Sequence, residues 1–229
     1  MRTSKSDLLS YLCYPSYNRE CINSRLVELE RAGVVGLVRL IDKGHSSVVL
    51  EVELRSGEHA ALKILRTDSK REDLLTECEI VRKAYPISPK LIECGRSYVL
   101  MELIRGVPVI KILHKHEERL PLILKVLSAG RGLDVLEIDH RELSRAHKHV
   151  VLTYDDKVKI FDYESAAISE YPRNLCRLTS WIFNSVLEIK LRREAVELLR
   201  KYKKADRELR REIFSELVSH TVSTLERHR

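Results

Sequence analysis

Asp139, His140, Arg141 and Glu142 follow one another in the sequence, His147 and His149 come shortly after, and Asp162 closes the same stretch. So many ionisable groups in one polar loop cannot be core, because a buried charge without a partner is costly. The flanking runs, His149 to Thr153 and Lys157 to Phe161, are rich in β-formers, and Tyr154-Asp155-Asp156 between them is a turn signal. The expected element is a hairpin holding the loop at one end and Asp162 at the other. Carboxylates on a rigid support are what a metal-phosphate site needs, so the spacing points to phosphoryl transfer. A hairpin whose charges are simply solvated is the plain alternative. Asp139, His140, His147 and His149 could instead serve a transition metal, although their spacing matches no zinc motif.

Lys63 is the second chemical candidate. It lies within the apolar run Ala60-Ala61-Leu62-Lys63-Ile64-Leu65, where an ammonium must either face solvent or find a carboxylate or phosphate. The runs Val34 to Ile41, Ser47 to Leu54 and His59 to Leu65 read as antiparallel strands, separated by Asp42-Lys43-Gly44-His45-Ser46 and by the hairpin signal Ser56-Gly57. In the second, Val48, Leu50, Val52 and Leu54 alternate with Val49, Glu51, Glu53 and Arg55, which predicts one buried and one wet face, with Val49 open to a ligand. Ser69-x-x-Glu72 is a capping box for a helix from about Lys70 to Tyr85, with Leu74, Cys78, Val81 and Tyr85 on one face, Glu77 beside it and Pro86 ending it. Strands Lys90 to Cys94 and Ser97 to Leu103 complete a five-stranded meander.

Upstream, Ser4 to Leu12, opened by Ser4-x-x-Asp7, and Tyr17 to Ala32, closed by Gly33, read as two helices. They suit a brace on the next domain, or the start of a helix-turn-helix. Downstream of Gly106 the pattern becomes helical: Val109 to His116, then Leu120 to Leu136, weakened by Gly130 and Gly132. Asn174 to Ile189 reads as an apolar helix holding the lone Trp181. Leu191, Ala195, Leu198, Tyr202, Ala205, Leu209 and Ile213 mark one amphipathic helix or a pair, with a basic outer face. The expected domains are a helical extension at 1–33, a sheet-rich part at 34–105 and a helical part at 106–229.

Of 229 residues, 44% are apolar, which predicts a folded chain. A net charge of +7 would suit an anionic partner, such as nucleotide, RNA or an acidic protein, the last two through the basic C-terminal helices. The charges are mixed in sign, however, as on ion-pair-rich surfaces of thermophile proteins. Cys13, Cys21, Cys78, Cys94 and Cys176 are odd in number and contain no C-x-x-C, which predicts reduced thiols and argues against zinc. No apolar run approaches the roughly 18 to 20 residues of a membrane span, and the N-terminal residues do not read as a signal peptide. A cytoplasmic protein with no membrane partner is expected.

The linear order of these motifs resembles the two-lobed protein-kinase fold, and specifically the small archaeal predicted serine/threonine kinases allied to the RIO and Bud groups. Asp42-Lys43-Gly44-His45-Ser46-Ser47-Val48-Val49 is similar to a degenerate phosphate-covering loop, Ala61-Leu62-Lys63 to the V-A-I-K strand, His140-Arg141-Glu142-Leu143-Ser144 to the catalytic loop and Ile160-Phe161-Asp162 to D-F-G. The resemblance implies an α+β fold with a five-stranded antiparallel sheet plus helix in the N-lobe and a mostly helical C-lobe. It implies that Lys63, paired with Glu77, holds ATP phosphates covered by Asp42, Gly44, Ser46 and Ser47. Val49, Ala61, Met101, Glu102 and Leu103 would surround the adenine, the last three at the interlobe hinge.

Asp162 would bind Mg²⁺ or Mn²⁺, with His149 as second metal ligand, and Glu142 or Asp139 would orient a serine or threonine hydroxyl of a protein substrate. The chain departs from the family in two places. Glu142 stands where the catalytic aspartate belongs, and His149 where the metal-binding asparagine belongs. There is also no A-P-E motif after Asp162. A nucleotide-binding switch or ATPase without transfer, and a small-molecule phosphotransferase, remain open alternatives.

Overall fold

The computed structural model describes residues 5–114 and 119–227. The protein is an α+β chain that divides into two compact units, one running up to Arg82 together with Pro89–Ile104, the other comprising Lys83–Ser88 and the chain from Arg105 onward. Ser4 of the expected capping box, and Lys115 and His116 of an expected helix, lie outside the described residues.

In the first unit, α1 (Lys5–Ser10) and α2 (Arg19–Arg31) precede β1 (Val34–Lys43), β2 (Ser47–Leu54) and β3 (His59–Leu65). Asn18 caps α2 by accepting from the Glu20 and Cys21 amides at 2.8 and 3.2 Å. Gly33, at φ +87°, ends it, a left-handed conformation that glycine adopts without Cβ strain. After α3 (Leu75–Ala84) come β4 (Leu91–Cys94) and β5 (Tyr98–Glu102). The sheet is antiparallel but not a simple meander: its order is β1-β2-β3-β5-β4, so β5 takes an inner place and β4 the edge. Helix α3 starts at Leu75 rather than near Lys70. Asp73 accepts from the Leu75 amide at 3.1 Å, and the Ser69 hydroxyl is used in a local turn with Arg71 instead of a cap.

One sheet face carries Val48, Leu50, Val52, Ala60, Leu62, Ile64, Tyr98 and Leu100, buried against Leu8, Leu12 and Leu29 of the N-terminal segment. The opposite face takes Leu74 and Cys78 beside Leu65 and Val99. Tyr85, expected on the apolar side of α3, is exposed. On the expected wet face of β2, Glu53 and Arg55 are exposed and Val49 is half-buried, but Glu51 is not wet. Glu51 is buried because Arg39 and His59 each approach it at 2.6 Å. Burial alone would raise its pKa, but the hydrogen bonds and charges of His59 and Arg39 outweigh this and hold it below the ordinary value.

The second unit opens with β6 (Gly106–Pro108), α4 (Val109–Leu113) and the long α5 (Arg119–Val135). Gly130 and Gly132 do not break α5. A Cβ at Gly130 would lie 2.5 Å from Leu178 Cδ1, and one at Gly132 2.6 Å from Ile87 Cδ1, so the glycines permit close packing. Next come β7 (Ile138–Asp139), β8 (Val150–Thr153), β9 (Val158–Ile160) and β10 (Ala167–Ile168). Strands β8 and β9 form the expected hairpin, β6 joins it on the other side of β8, and β7 pairs with β10. Helix α6 (Asn174–Ser180) runs into a π-helical turn, Trp181–Val186, and the amphipathic stretch resolves into α7 (Arg193–Tyr202) and α8 (Arg207–Glu226). No helix among the described residues is long and apolar enough to cross a membrane.

The cysteines correct the expectation of reduced thiols. Cys13 is bonded to Cys21 and Cys78 to Cys94, leaving Cys176 free and buried. Chain folding brings the Cα atoms within 6.1 and 6.3 Å across separations of 8 and 16 residues, a proximity their spacing did not disclose.

Candidate functional site

The strand registers align the first set of candidate residues. Asp42 lies opposite Val49, Val49 opposite Lys63, and Lys63 opposite Val99, while Ala61 lies opposite Met101. Residues directly opposed in antiparallel strands share a face, so Val49, Ala61, Lys63 and Met101 lie on one side of the sheet. Glu102 pairs with Ala60 and falls on the other parity. Its carboxylate accepts from the Lys90 amide at 3.0 Å, and Leu103 lies beyond the strand.

Lys63 is 4% exposed and Glu77 2%. The Lys63 ammonium donates to Glu77 Oε1 at 2.7 Å, and Arg71 reaches the other oxygen at 3.1 Å. Arg71 was not among the expected site residues; its signal was a cation just ahead of the helix that carries Glu77. At the end of β1, the Gly44 amide donates to the Ser47 carbonyl at 2.9 Å, and the Gly44 carbonyl accepts from Arg66 at 2.9 Å. The Ser46 hydroxyl is buried without a hydrogen-bond partner, Ser47 is buried, and the Asp42 carboxylate accepts from the Lys43 amide at 2.8 Å. Tyr14 supports this turn: Lys43 and Arg66 sit over its ring at 4.8 and 4.9 Å.

The second set gathers around two histidines in the other unit. His140 is fully buried; its amide donates to Asn174 Oδ1 at 2.9 Å and its Nε2 lies 3.1 Å from the Phe161 carbonyl. A carbonyl can only accept, which assigns the proton to Nε2 and leaves Nδ1 as a buried acceptor without a partner. Burial pulls the His140 pKa down to about 4. The His149 ring lies 5.4 Å from that of His140. Its Nε2 is 3.4 Å from Glu142 and its Nδ1 3.8 Å from Asp162, and neither nitrogen has hydrogen-bond geometry. Burial lowers the His149 pKa, against the opposing pull of Asp162 and then Glu142.

Glu142 and Asp162 therefore flank one imidazole, and both carboxylates are partly open to solvent, at 41% and 42%. Ser165 donates to Glu142 and orients it. Asp162 has φ +66° and Arg141 φ +68°, left-handed values that cost a residue with a Cβ about 1 kcal/mol or more. Such conformations collect at sites where side chains must be aimed.

Asp139 is employed differently. Arg177 binds both of its oxygens, and the Arg173 amide contacts it at 3.4 Å. Behind it stands buried Asp134, which accepts from the Asn174 amide and side chain, the Leu175 amide and the Tyr202 hydroxyl at 2.8–3.1 Å. Burial raises the Asp134 pKa, opposed by these donors. Asp134, Asn174, Ser165 and Arg177 were missed from sequence. A carboxylate at a core position of α5 was the one available signal.

Asp139, His140, His147 and His149 are not brought together as a set of metal ligands. Among the described residues no group of three or more His, Cys, Asp or Glu is arranged to hold a metal ion. Magnesium is commonly held by one or two carboxylates together with phosphate and water oxygens, and the partly exposed carboxylate of Asp162 is a donor of that kind. No protein-family model matches the chain, and no curated protein is significantly similar to it.

Proposed function

We propose that the chain is an atypical, protein-kinase-like ATP-dependent phosphotransferase, allied to the RIO and Bud groups, that passes the γ-phosphate to a serine or threonine hydroxyl. The observation that carries this reading is the buried Lys63–Glu77 pair at 2.7 Å. An ammonium fixed by a carboxylate meets the α- and β-phosphates as a preorganised charge and needs little reorganisation when nucleotide arrives. Asp162 would hold Mg²⁺ or Mn²⁺, which neutralises phosphate charge when bound. Gly44, Ser46 and Ser47 would approach the phosphates, and Val49, Ala61, Met101 and the backbone at Glu102 and Leu103 the base.

Between the two candidates for orienting the hydroxyl, the geometry favours Glu142. Its carboxylate is partly exposed and aimed by Ser165, whereas that of Asp139 is occupied by Arg177. Glu142→Gln is expected to keep nucleotide-dependent thermal stabilisation in Mg²⁺ or Mn²⁺ and to lose phosphoryl transfer, because ligand linkage reads binding and not chemistry. Asp139→Asn is expected to lower stability instead. If Glu142→Gln transfers phosphate at the wild-type rate, the assignment of Glu142 fails.

A second reading, a nucleotide-gated switch without transfer, draws on His149. A buried imidazole stands between the two carboxylates where the family places an oxygen ligand, and imidazole is a weak partner for magnesium. ATP-dependent stabilisation with no transfer in any variant is the outcome that selects this reading.

A further inference from the structure

Two neighbouring cavities in the second unit share Cys176, Ser180, Asn184 and Lys203 in their walls, and together they are called the cleft. The larger, of about 370 Å³, is lined by Arg173, Arg177, Lys203 and Ser144 in addition to Ser180 and Asn184, and the smaller, of about 290 Å³, adds Lys190 and Arg200. Among the described residues no carboxylate lines either one. Two of the cations are already paired, Arg177 with Asp139 and Arg200 with Glu197. Arg173, Lys190 and Lys203 line the cleft as exposed residues, and none of them has a carboxylate within ion-pair distance among the described residues. Concentrated positive charge with hydroxyl and amide donors between is the chemistry that recognises phosphate oxygens.

The backbone adds an independent observation. Part of the wall is the π-helical turn Trp181–Val186 that follows α6, a rare local geometry that is frequent at functional sites. The wider turn leaves Asn184 and Ser185 exposed at the opening while Trp181, Ile182 and Phe183 stay in the core. Cys176 at the base is not a nucleophile: burial pushes its thiol up to about 12. The cleft's volume matches a small ligand, since such sites run from about 300 to 1,000 Å³.

We propose that this cleft is a binding site for a small phosphorylated molecule, its phosphate held by Arg173 and Lys203 with donors from Ser180 and Asn184. Binding here does not depend on phosphoryl transfer. Ser144, two positions beyond Glu142 in the chain, lines the same cleft, so an occupant lies next to the loop that carries Glu142.

The protein carries its own probe, because Trp181 is the sole tryptophan and lines the cleft. Full-length protein with Lys63→Met, which weakens any nucleotide site, is titrated with inorganic pyrophosphate while tryptophan fluorescence is followed. Binding is measured in parallel by equilibrium dialysis with labelled pyrophosphate. Saturable binding is expected, weakened at least about tenfold by Arg173→Ala together with Lys203→Ala, as loss of charge-assisted hydrogen bonds predicts. Arg177 is left intact so that Asp139 keeps its partner.

Several results would overturn the proposal: no saturable binding by dialysis, binding that survives the double substitution, or an equal response to chloride at matched ionic strength. So would saturation by a polyuridine RNA at the same phosphate concentration when pyrophosphate has no effect, which would assign the cleft to a polynucleotide. Loss of ATP stabilisation in the Lys63→Met protein with pyrophosphate binding retained separates this site from the proposed nucleotide site.

Discussion

Two buried charges set the behaviour of the candidate site at the scale of single residues. Glu77 serves Lys63 and Arg71 at once, so its removal takes a buried carboxylate from two cations, one of them on a residue that is 4% exposed. Glu77→Ala is expected to cost about 3–5 kcal/mol in urea unfolding, whereas Lys63→Met should cost less because Arg71 still satisfies Glu77. Equal losses would mean the pair is not the asymmetric arrangement described. His140 supplies a pH signature. Unfolded, its imidazole takes a proton near 6.5; folded, only near 4, because burial disfavours the charged ring. Between these values the unfolded state holds more protons, so stability falls as pH drops from 6.5 to 4, by about 3 kcal/mol in all. His140→Gln should flatten that part of the pH–stability curve, and an unchanged slope would assign the acid sensitivity elsewhere.

At the level of elements, periodicity and turn chemistry made much of the sheet and the β8–β9 hairpin legible. Alternating apolar residues marked β2, Ser56-Gly57 marked its turn, and Gly33 marked the end of α2. Long-range features were hidden. The inner place of β5 depends on a non-local pairing with β3 that no local pattern encodes. Ser69-x-x-Glu72 had the form of a capping box, but the segment ahead of α3 instead forms a turn that brings Arg71 to Glu77. Glu51 looked solvated because its partners, Arg39 and His59, come from neighbouring strands.

In the candidate site, Glu77 was reached through the kinase resemblance, whereas Lys63 and Asp162 could be picked out because charge in an apolar run, or at the end of one, is rare. The support from Asn174, Ser165 and Arg177 could not, since those contacts cross 23 to 38 positions of chain. Gly130, expected to weaken α5, gives an element-scale test. Gly130→Ala should gain helix propensity yet lose about 1–3 kcal/mol net, because the new methyl lies 2.5 Å from Leu178. Stabilisation by this substitution would show that α5 and α6 pack less closely than described.

For the whole molecule, the two disulfides change the picture of its chemistry. Protein unfolded without reductant should take up one alkyl group per chain, at Cys176, and five after reduction. Five without reductant would contradict the pairing of Cys13 with Cys21 and Cys78 with Cys94. The central claim is the proposed activity, which assigns a phosphate-binding role to Lys63, a metal-binding role to Asp162 and an orienting role to Glu142. Its most direct test is transfer of labelled γ-phosphate from ATP by the full-length protein in Mg²⁺ or Mn²⁺, with Lys63→Met and Asp162→Asn alongside. The account predicts transfer by the wild type that falls at least about a hundredfold in each variant, as loss of a preorganised charge implies. Wild-type protein that binds ATP but transfers no phosphate, or variants that transfer as well as the wild type, would contradict it.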